Sequence, residues 1–515
     1  MTADANVWRP PASTAPVRAT GRGAAAQVAR APEGRGQAHH NDRPAQYRRM
    51  RNGLPVKRDP GRRRLARIVR NPYVWATVAL TISYFVALFV LYRDIGSRLI
   101  AEIPQVTEEL YGFPTEISWE QINEAFLLTG RYALWTVLVY VVLFILIDRL
   151  RPTTWTMKWL AFGWGACAAV FLSYHVNSWA GELMRTEGPV DASQGARAAI
   201  FSAPFVEEAA KATILFALLI LLRRRIVAVH QIFTLAGLSA VGFAFTENII
   251  YYLRTYIYAV TIYGTDANAE LTSIAQMRGI MLSFGHPLFT ALIALGMIVA
   301  LTNRSKLVRV LAPVAGFLAA AFGHMLFNGL ASIMEGAAMI LAIAGWVAVL
   351  AMTVFLIFRY VTQVRTIRAR LTELVQMGWI AESDPHQMSR IFGRWRMAAT
   401  ALLRGPRVFG ATLRLQRNLT ELAYLREAEL RGTVDAMAIE RARDLVVDTA
   451  QARVWAIDHT AGVPFIPPEW GQNLRAWRQR LRDRRAAKRA ARPVWAPPTG
   501  APVGAGAGSW PPPGR

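Results

Sequence analysis

Four stretches set ionisable side chains into otherwise apolar sequence: EEAAK (Glu207 to Lys211), FAFTEN (Phe243 to Asn248), GHPLFTA around His286, and HMLFN (His324 to Asn328). Even on lenient insertion scales, a charged group at the centre of a membrane helix costs about 2.5 to 3.5 kcal/mol. Glu207, Glu208 and Lys211 crowd three such groups into one run, so they need a purpose. Adjacent carboxylates in a dry site cannot both ionise cheaply, while Lys211, three and four residues on, favours keeping one of them charged. That prepares a carboxylate for acid/base work.

Peptide hydrolysis needs a base to activate water, an acid to protonate the leaving amine, and donors aimed at the developing oxyanion. On that chemistry Glu207 or Glu208 activates the water with help from His286, and His324 and Asn328 donate to the oxyanion. Glu247 orients a histidine or holds the second proton, with Lys211 and Asn248 in support. Lys211 projects between the two glutamates, so spacing leaves its partner open. The same residues admit a metal: Glu208, Glu247, His286 and His324 would supply the histidines and carboxylate of a catalytic zinc set, with a position left for water. The ligands lie on separate helices and no HExxH motif is present, so spacing does not decide. A proton-coupled transporter or channel is the rival from another class, since it too needs intramembrane Glu, His and Lys.

The elements that must hold these residues are membrane helices. Across 515 residues the chain is 53% hydrophobic, and its mean hydropathy of +0.23 is high for a soluble protein. The fold class expected is all-α, a polytopic bundle of about eight spans. They read at 72–92, 132–148, 158–176, 198–222, 232–253, 279–302, 308–334 and 337–359. Short loops after the second, fourth and sixth spans are basic, carrying Arg149, Arg151 and Lys158, then Arg223 to Arg225, then Arg304, Lys306 and Arg309. Positive charge in short loops marks the cytoplasmic side, which puts both termini inside. Counted from that side at 1.5 Å per residue, Glu207, Glu208, Glu247, His286 and His324 all lie roughly 21 to 24 Å deep. One shared layer near the outer face suits a hydrolytic pocket better than a path across the membrane, and no inverted repeat is evident. The row Gly316, Ala320, His324 and Asn328, spaced by four, lets another helix approach closely. Pro204 and Pro287 each remove a backbone donor beside a polar residue, which predicts broken helices there.

Together, and in this order, the four motifs resemble those of the PrsW family of intramembrane proteases, distant relatives of the CAAX prenyl endopeptidases. The resemblance spans 198–359. It implies a multi-pass protease of the bacterial plasma membrane acting on a single-pass membrane protein near the external face, such as an anti-sigma factor in stress signalling. Related CAAX enzymes are usually read as metal-free and PrsW-type proteins are often labelled metalloproteases. No cofactor is the preferred expectation, and zinc the alternative.

The rest of the chain is less specific. The formal net charge of +25 sits mostly in the flanks, where membrane lipid is the expected partner and nucleic acid is not. Residues 1–70 read as a basic, disordered cytoplasmic segment, 71–360 as the transmembrane domain, 361–480 as a cytoplasmic helical region forming a hairpin or dimerisation element, and 481–515 as a basic, then Pro/Gly-rich disordered tail. Within the third, IFGRWRMAATALLRGPRVFG suits the inner membrane surface. His175 reads as structural, His230 and His386 as solvated, and the one cysteine, Cys167, as packing. Substrate identity and oligomeric state have no signature.

Overall fold

The apolar runs fold as helices because a backbone in hydrocarbon must satisfy its own hydrogen bonds. The computed structural model describes residues 72–185, 194–222, 226, 228–303, 305–333, 337–378, 380–430 and 436–457, with short pieces at 69, 476–477, 479–484 and 486–487. The expected N-terminal segment and C-terminal tail fall almost wholly outside these. Among the described residues there is no strand.

The membrane part comprises α1 (Pro72–Tyr111), α2 (Trp119–Ile147), α3 (Trp155–Leu183), α4 (Gln194–Phe201), α5 (Ala203–Leu222), α6 (Val229–Tyr258), α7 (Ala267–Gln276), α8 (Gly285–Thr302), α9 (Lys306–Ile333) and α10 (Ala337–Gln376). Among the described residues, seven spans are long and apolar enough to cross a bilayer: α1, α2, α3, α6, α8 with its lead-in from α7, α9 and α10. The remaining expected span corresponds to α4 and α5. Glu207, Glu208 and Lys211 fall in every 18-residue window of the 20-residue α5, and this charge alone keeps it below that measure. The chain is thus a multi-pass membrane protein.

α6 is the axis of the bundle: 83% of its most apolar window is buried, against 11% for α1 and α2. Around it, Phe144, Leu215, Leu218, Phe233, Leu235, Ile293, Met297 and Ala320 join in one core. Glycines let the backbones approach where the site is built. A Cβ on Gly165 would fall 1.9 Å from the Ser239 carbonyl oxygen, and one on Gly242 2.2 Å from that of Phe162, so α3 and α6 touch backbone to backbone. Gly296 and Gly316 do the same for α8 and α9, with the carbonyls of Ala312 and Leu292 at 2.3 and 2.7 Å from their virtual Cβ atoms.

Both expected spans are interrupted where the prolines predict it, at Ser202 and over 282–284. Pro204 and Pro287 lie in the first turns of the helices that resume, α5 and α8, where their missing N–H would have no intrahelical partner in any case. The departures from α-helix are π segments, Trp164–Ala169 in α3, Ala259–Tyr263 after α6, and Met277–Met281 between α7 and α8.

α10 leaves the bundle and its far end carries Ile367, Leu371 and Leu374 into a second core with α11 (Asp384–Ser389), α12 (Ile391–Leu403), α13 (Pro406–Leu430) and α14 (Ala436–Arg453). Leu150, from the α2–α3 loop, belongs to that core. Buried Arg394 donates to the Leu150 carbonyl at 2.8 Å and to Thr420 at 3.1 Å, and Arg151 pairs with Glu421 at 3.0 Å. α12 therefore turns one face, with Arg394, Met397 and Ala401, into protein, while the opposite face keeps Phe392, Trp395 and Leu402 exposed. His230, expected in solvent, is instead buried, its Nε2 3.4 Å from the Leu356 carbonyl of α10.

Two outcomes follow from this packing. Gly165→Ala should lower the thermal midpoint in detergent by the equivalent of about 1 to 3 kcal/mol through overpacking, whereas Gly130→Ala, with nothing within 4 Å of its virtual Cβ, should not lower it. Burial pushes the Glu421 carboxyl up, but Arg151 and Arg441 outweigh it and hold the folded pKa at about 2. A depressed folded pKa stabilises above the unfolded value and is lost as pH falls through the folded one. Stability should therefore drop between about pH 4.3 and the folded value, and Glu421→Gln should flatten that slope in thermal unfolding followed by circular dichroism.

Candidate functional site

The site begins in the first turns of α5. Glu207, Glu208 and Lys211 share a helix face at spacings of three and four. Trp164 of the α3 π segment donates its indole N–H to the Ala210 carbonyl at 2.8 Å, and Ser239 of α6 donates to the Lys211 carbonyl at 3.0 Å. These bonds seat α5 between α3 and α6. The Lys211 ammonium lies 2.6 Å from Glu208 Oε1 but 3.8 Å from Glu207 Oε2, which answers the question spacing leaves open. Its partner is Glu208. Thr290, one turn beyond His286 on α8, donates to Glu208 Oε2 at 2.9 Å.

Each histidine stands against a carboxylate. His286 Nε2 is 2.8 Å from Glu247 Oε2, and its Nδ1 is 2.9 Å from the Lys211 ammonium. An ionised Glu247 can only accept, so Nε2 carries the proton and Nδ1 presents its lone pair. His324 Nδ1 lies 3.2 Å from Glu208 Oε1. Its ring stacks on Phe289 at 4.9 Å and meets that of His286 edge to face at 5.4 Å. The close α8–α9 crossing makes this possible.

Glu207 is the carboxylate left over. Three carboxylates, Glu207, Glu208 and Glu247, face two permanent cations, Lys211 and Arg278, and the distances give the cations to Glu208 and Glu247. Glu207 Oε2, Glu208 Oε1 and His324 Nδ1 are all buried without a hydrogen bond, Glu208 Oε1 facing the Lys211 ammonium. Burying a polar atom unsatisfied costs about 1 to 3 kcal/mol, so such atoms commonly mark chemistry or a missing ligand.

The cluster opens on one side. Side-chain exposure rises from 0% at Glu208 and Lys211 through 6% at His324 and 7% at Glu207 to 14% at His286, 16% at Glu247 and 24% at Arg278. Water and substrate would meet the last three first.

Of the residues expected from sequence, Glu207, Glu208, Lys211, Glu247, His286 and His324 come together. Asn248 joins through Arg278, whose Nε donates to its Oδ1 at 3.1 Å. Asn328 is engaged elsewhere: its amide donates to the Ala199 carbonyl of α4 at 2.8 Å. It pins α4 to α9. His175 lies among aromatic rings, edge-on to Phe171 at 4.5 Å. Arg278 and Thr290 escaped the motif reading. Thr290 had a signal, being one turn from His286 on the same face. Arg278 had little, because it sits at the edge of the apolar run and only the π segment turns it inward.

Residues 153–359 match the family model for PrsW family intramembrane metalloproteases. No curated protein and no solved structure matches the chain. The match starts earlier than the 198 expected from motifs and takes in α3, which supplies Trp164 and Gly165 to the seating of α5 and α6.

The description of the matched family names a metal, and the types of the donors that converge here suit one. Ligand atoms of Glu207, His286 and His324 all lie within 4.8 Å of one another, two histidines and a glutamate being a known catalytic zinc set. This differs from the set expected from sequence, in which Glu208 and Glu247 were ligands. Here each stands behind a histidine, as carboxylates do in carboxylate–histidine–zinc arrangements. Purified protein should bind one zinc or cobalt ion per chain by metal analysis. Glu207→Gln, His286→Ala and His324→Ala should each abolish stoichiometric binding, and Glu247→Gln should weaken it by about 10- to 100-fold.

Proposed function

We propose that the PrsW-type segment, 153–359, hydrolyses a peptide bond of a membrane protein, and that Glu207, His286 and His324 form its reactive centre. The observation that carries this reading is the convergence of those three side chains, with Glu207 the carboxylate of the cluster whose cation stands farthest off, at 3.8 Å. A zinc ion held there would polarise the scissile carbonyl and make water nucleophilic near neutral pH.

The chain's own residues prepare the rest. Glu247 holds the His286 ring with Nε2 protonated, and Glu208 lies against the His324 ring. Lys211 and Thr290 meet the two oxygens of Glu208 and hold that carboxylate in place against the His324 ring. The bundle walls keep bulk water out of all but the Glu247 and Arg278 side, which strengthens each electrostatic contact inside. Hydrolysis adds the hydroxyl of water to the carbonyl carbon and delivers its proton to the leaving amine.

A metal-free variant of the same reading is favoured by Lys211, whose ammonium already touches His286 Nδ1 at 2.9 Å. In that case Glu207 takes the proton from water as a general base and returns it to the amine. The basic loops support both termini in the cytoplasm and the site towards the outer leaflet; the resemblance suggests a bacterial cell and a single-pass substrate, with an anti-sigma factor as its class.

The test compares membrane proteomes of cells carrying the intact protein and Glu207→Gln. One single-pass protein should accumulate in the variant, with its cleavage slowed at least about 100-fold in purified components. Chelation should abolish cleavage and zinc restore it; activity that survives chelation selects the metal-free variant. Full cleavage by Glu207→Gln and by His324→Ala would refute the hydrolytic assignment.

A further inference from the structure

Arg278 is the charged group nearest the open side of the cluster, and no part of the chemistry above uses it. It lies in the π segment Met277–Met281, which with the turn after it forms a strap between α7 and α8. The strap is tied by three hydrogen bonds to two helices. Thr136 of α2 donates to the Gly279 carbonyl at 2.8 Å, Tyr140 of α2 bonds Ser283 at 3.0 Å, and Trp346 of α10 donates to the Met281 carbonyl at 3.0 Å. At Gly279 a Cβ would fall 2.9 Å from both the Thr136 and the Tyr252 hydroxyl oxygens, so the strap presses closely on α2 and α6. Single π turns inside helices are frequent at functional sites.

From this strap the Arg278 guanidinium makes two directed bonds, Nη2 to Glu247 Oε2 at 2.7 Å and Nε to Asn248 Oδ1 at 3.1 Å, and lies 3.8 Å above the Tyr251 ring. Glu247 Oε2 is also the oxygen that His286 Nε2 meets. One carboxylate oxygen therefore joins guanidinium to imidazole. A cation needed only to neutralise Glu247 would not require a planar fork reaching the neighbouring amide and a ring beneath it.

We propose that Arg278 is a positioning residue for the hydrolytic step. It fixes the carboxylate of Glu247 from the open side, and through it the orientation and tautomer of His286. This rests on the protease reading above.

The experiment is a double-mutant cycle on the full-length protein with a quenched fluorogenic transmembrane peptide as substrate. Arg278→Met should lower kcat by about 10- to 100-fold while changing KM by less than about 2-fold. In a Glu247→Gln background the same change should cost less than about 2-fold, because the link is already cut. Arg278→Lys should recover part of the loss, since an ammonium reaches one of the two acceptors and cannot fork. Cobalt-loaded Arg278→Met should keep one equivalent of metal but show shifted visible bands, a readout independent of turnover. Equal losses in both backgrounds, or a raised KM with kcat intact, would overturn the proposal; so would unchanged kcat. Should Arg278→Met fail to fold, Arg278→Lys carries the same cycle with the same criteria. Full activity of Glu207→Gln counts against the hydrolytic reading itself. An inactive Glu207→Gln beside an unaffected Arg278→Met counts against Arg278 alone.

Discussion

The interior of the bundle depends on an ion pair that water does not reach. Lys211 and Glu208, both fully enclosed, meet at 2.6 Å. Two charges in such a place are tolerable only when their remaining valences are satisfied, and removing one partner leaves the other uncompensated. Thr290 takes the second oxygen of Glu208, and the ammonium also reaches His286 and lies 4.4 Å above the Phe243 ring. The pair thus draws α5, α6, α8 and α9 to one point. It also separates two adjacent glutamates, since Glu208 is met by the ammonium at 2.6 Å and Glu207 is left at 3.8 Å.

Such convergence requires backbones closer than ordinary side chains permit. Glycines at the α3–α6 and α8–α9 crossings remove the obstructing Cβ atoms, and in a membrane, where apolar side chains gain little by leaving lipid, close packing is a main source of helix association. The π segments serve the same end by re-aiming side chains without ending the helix. That in α3 directs Trp164 to the backbone of α5, and that before α8 brings Arg278 onto Glu247. Irregular backbone and small residues lie where the polar groups need placing, while the periphery is regular helix facing lipid.

The C-terminal helices are tied to the membrane part by more than chain connectivity. α10 runs unbroken from Gly345, against which the Phe284 ring packs two residues before His286, to Leu374 in the second core. The α2–α3 loop enters that core through Leu150, with Arg151 held by Glu421 and Arg394 bonded to the loop backbone. Charge carries much of this union: Glu421 accepts from both Arg151 and Arg441. A basic loop that reads as a topology signal in sequence is also a structural connector.

Much was legible in the sequence because its rules are local. Hydropathy over about 20 residues reveals spans whatever their neighbours, and charges within an apolar run announce a site because their cost must be offset somewhere. Glu207, Glu208, Lys211, Glu247, His286 and His324 could therefore be named, and helix rise suggested that they share a layer. Which of them pair was not legible. Whether Lys211 turns to Glu207 or Glu208 depends on Thr290 and His324 arriving from helices 80 and more residues away, and Asn328 was drawn off by the Ala199 carbonyl of a short helix that no periodicity singles out. Arg278 stayed hidden because its inward turn comes from a π segment, a backbone choice set by tertiary contacts. The residue types determined that a charged centre exists; only the crossing of the helices decided which charges compensate each other, because that is settled by distances of a few ångströms between segments remote in the chain.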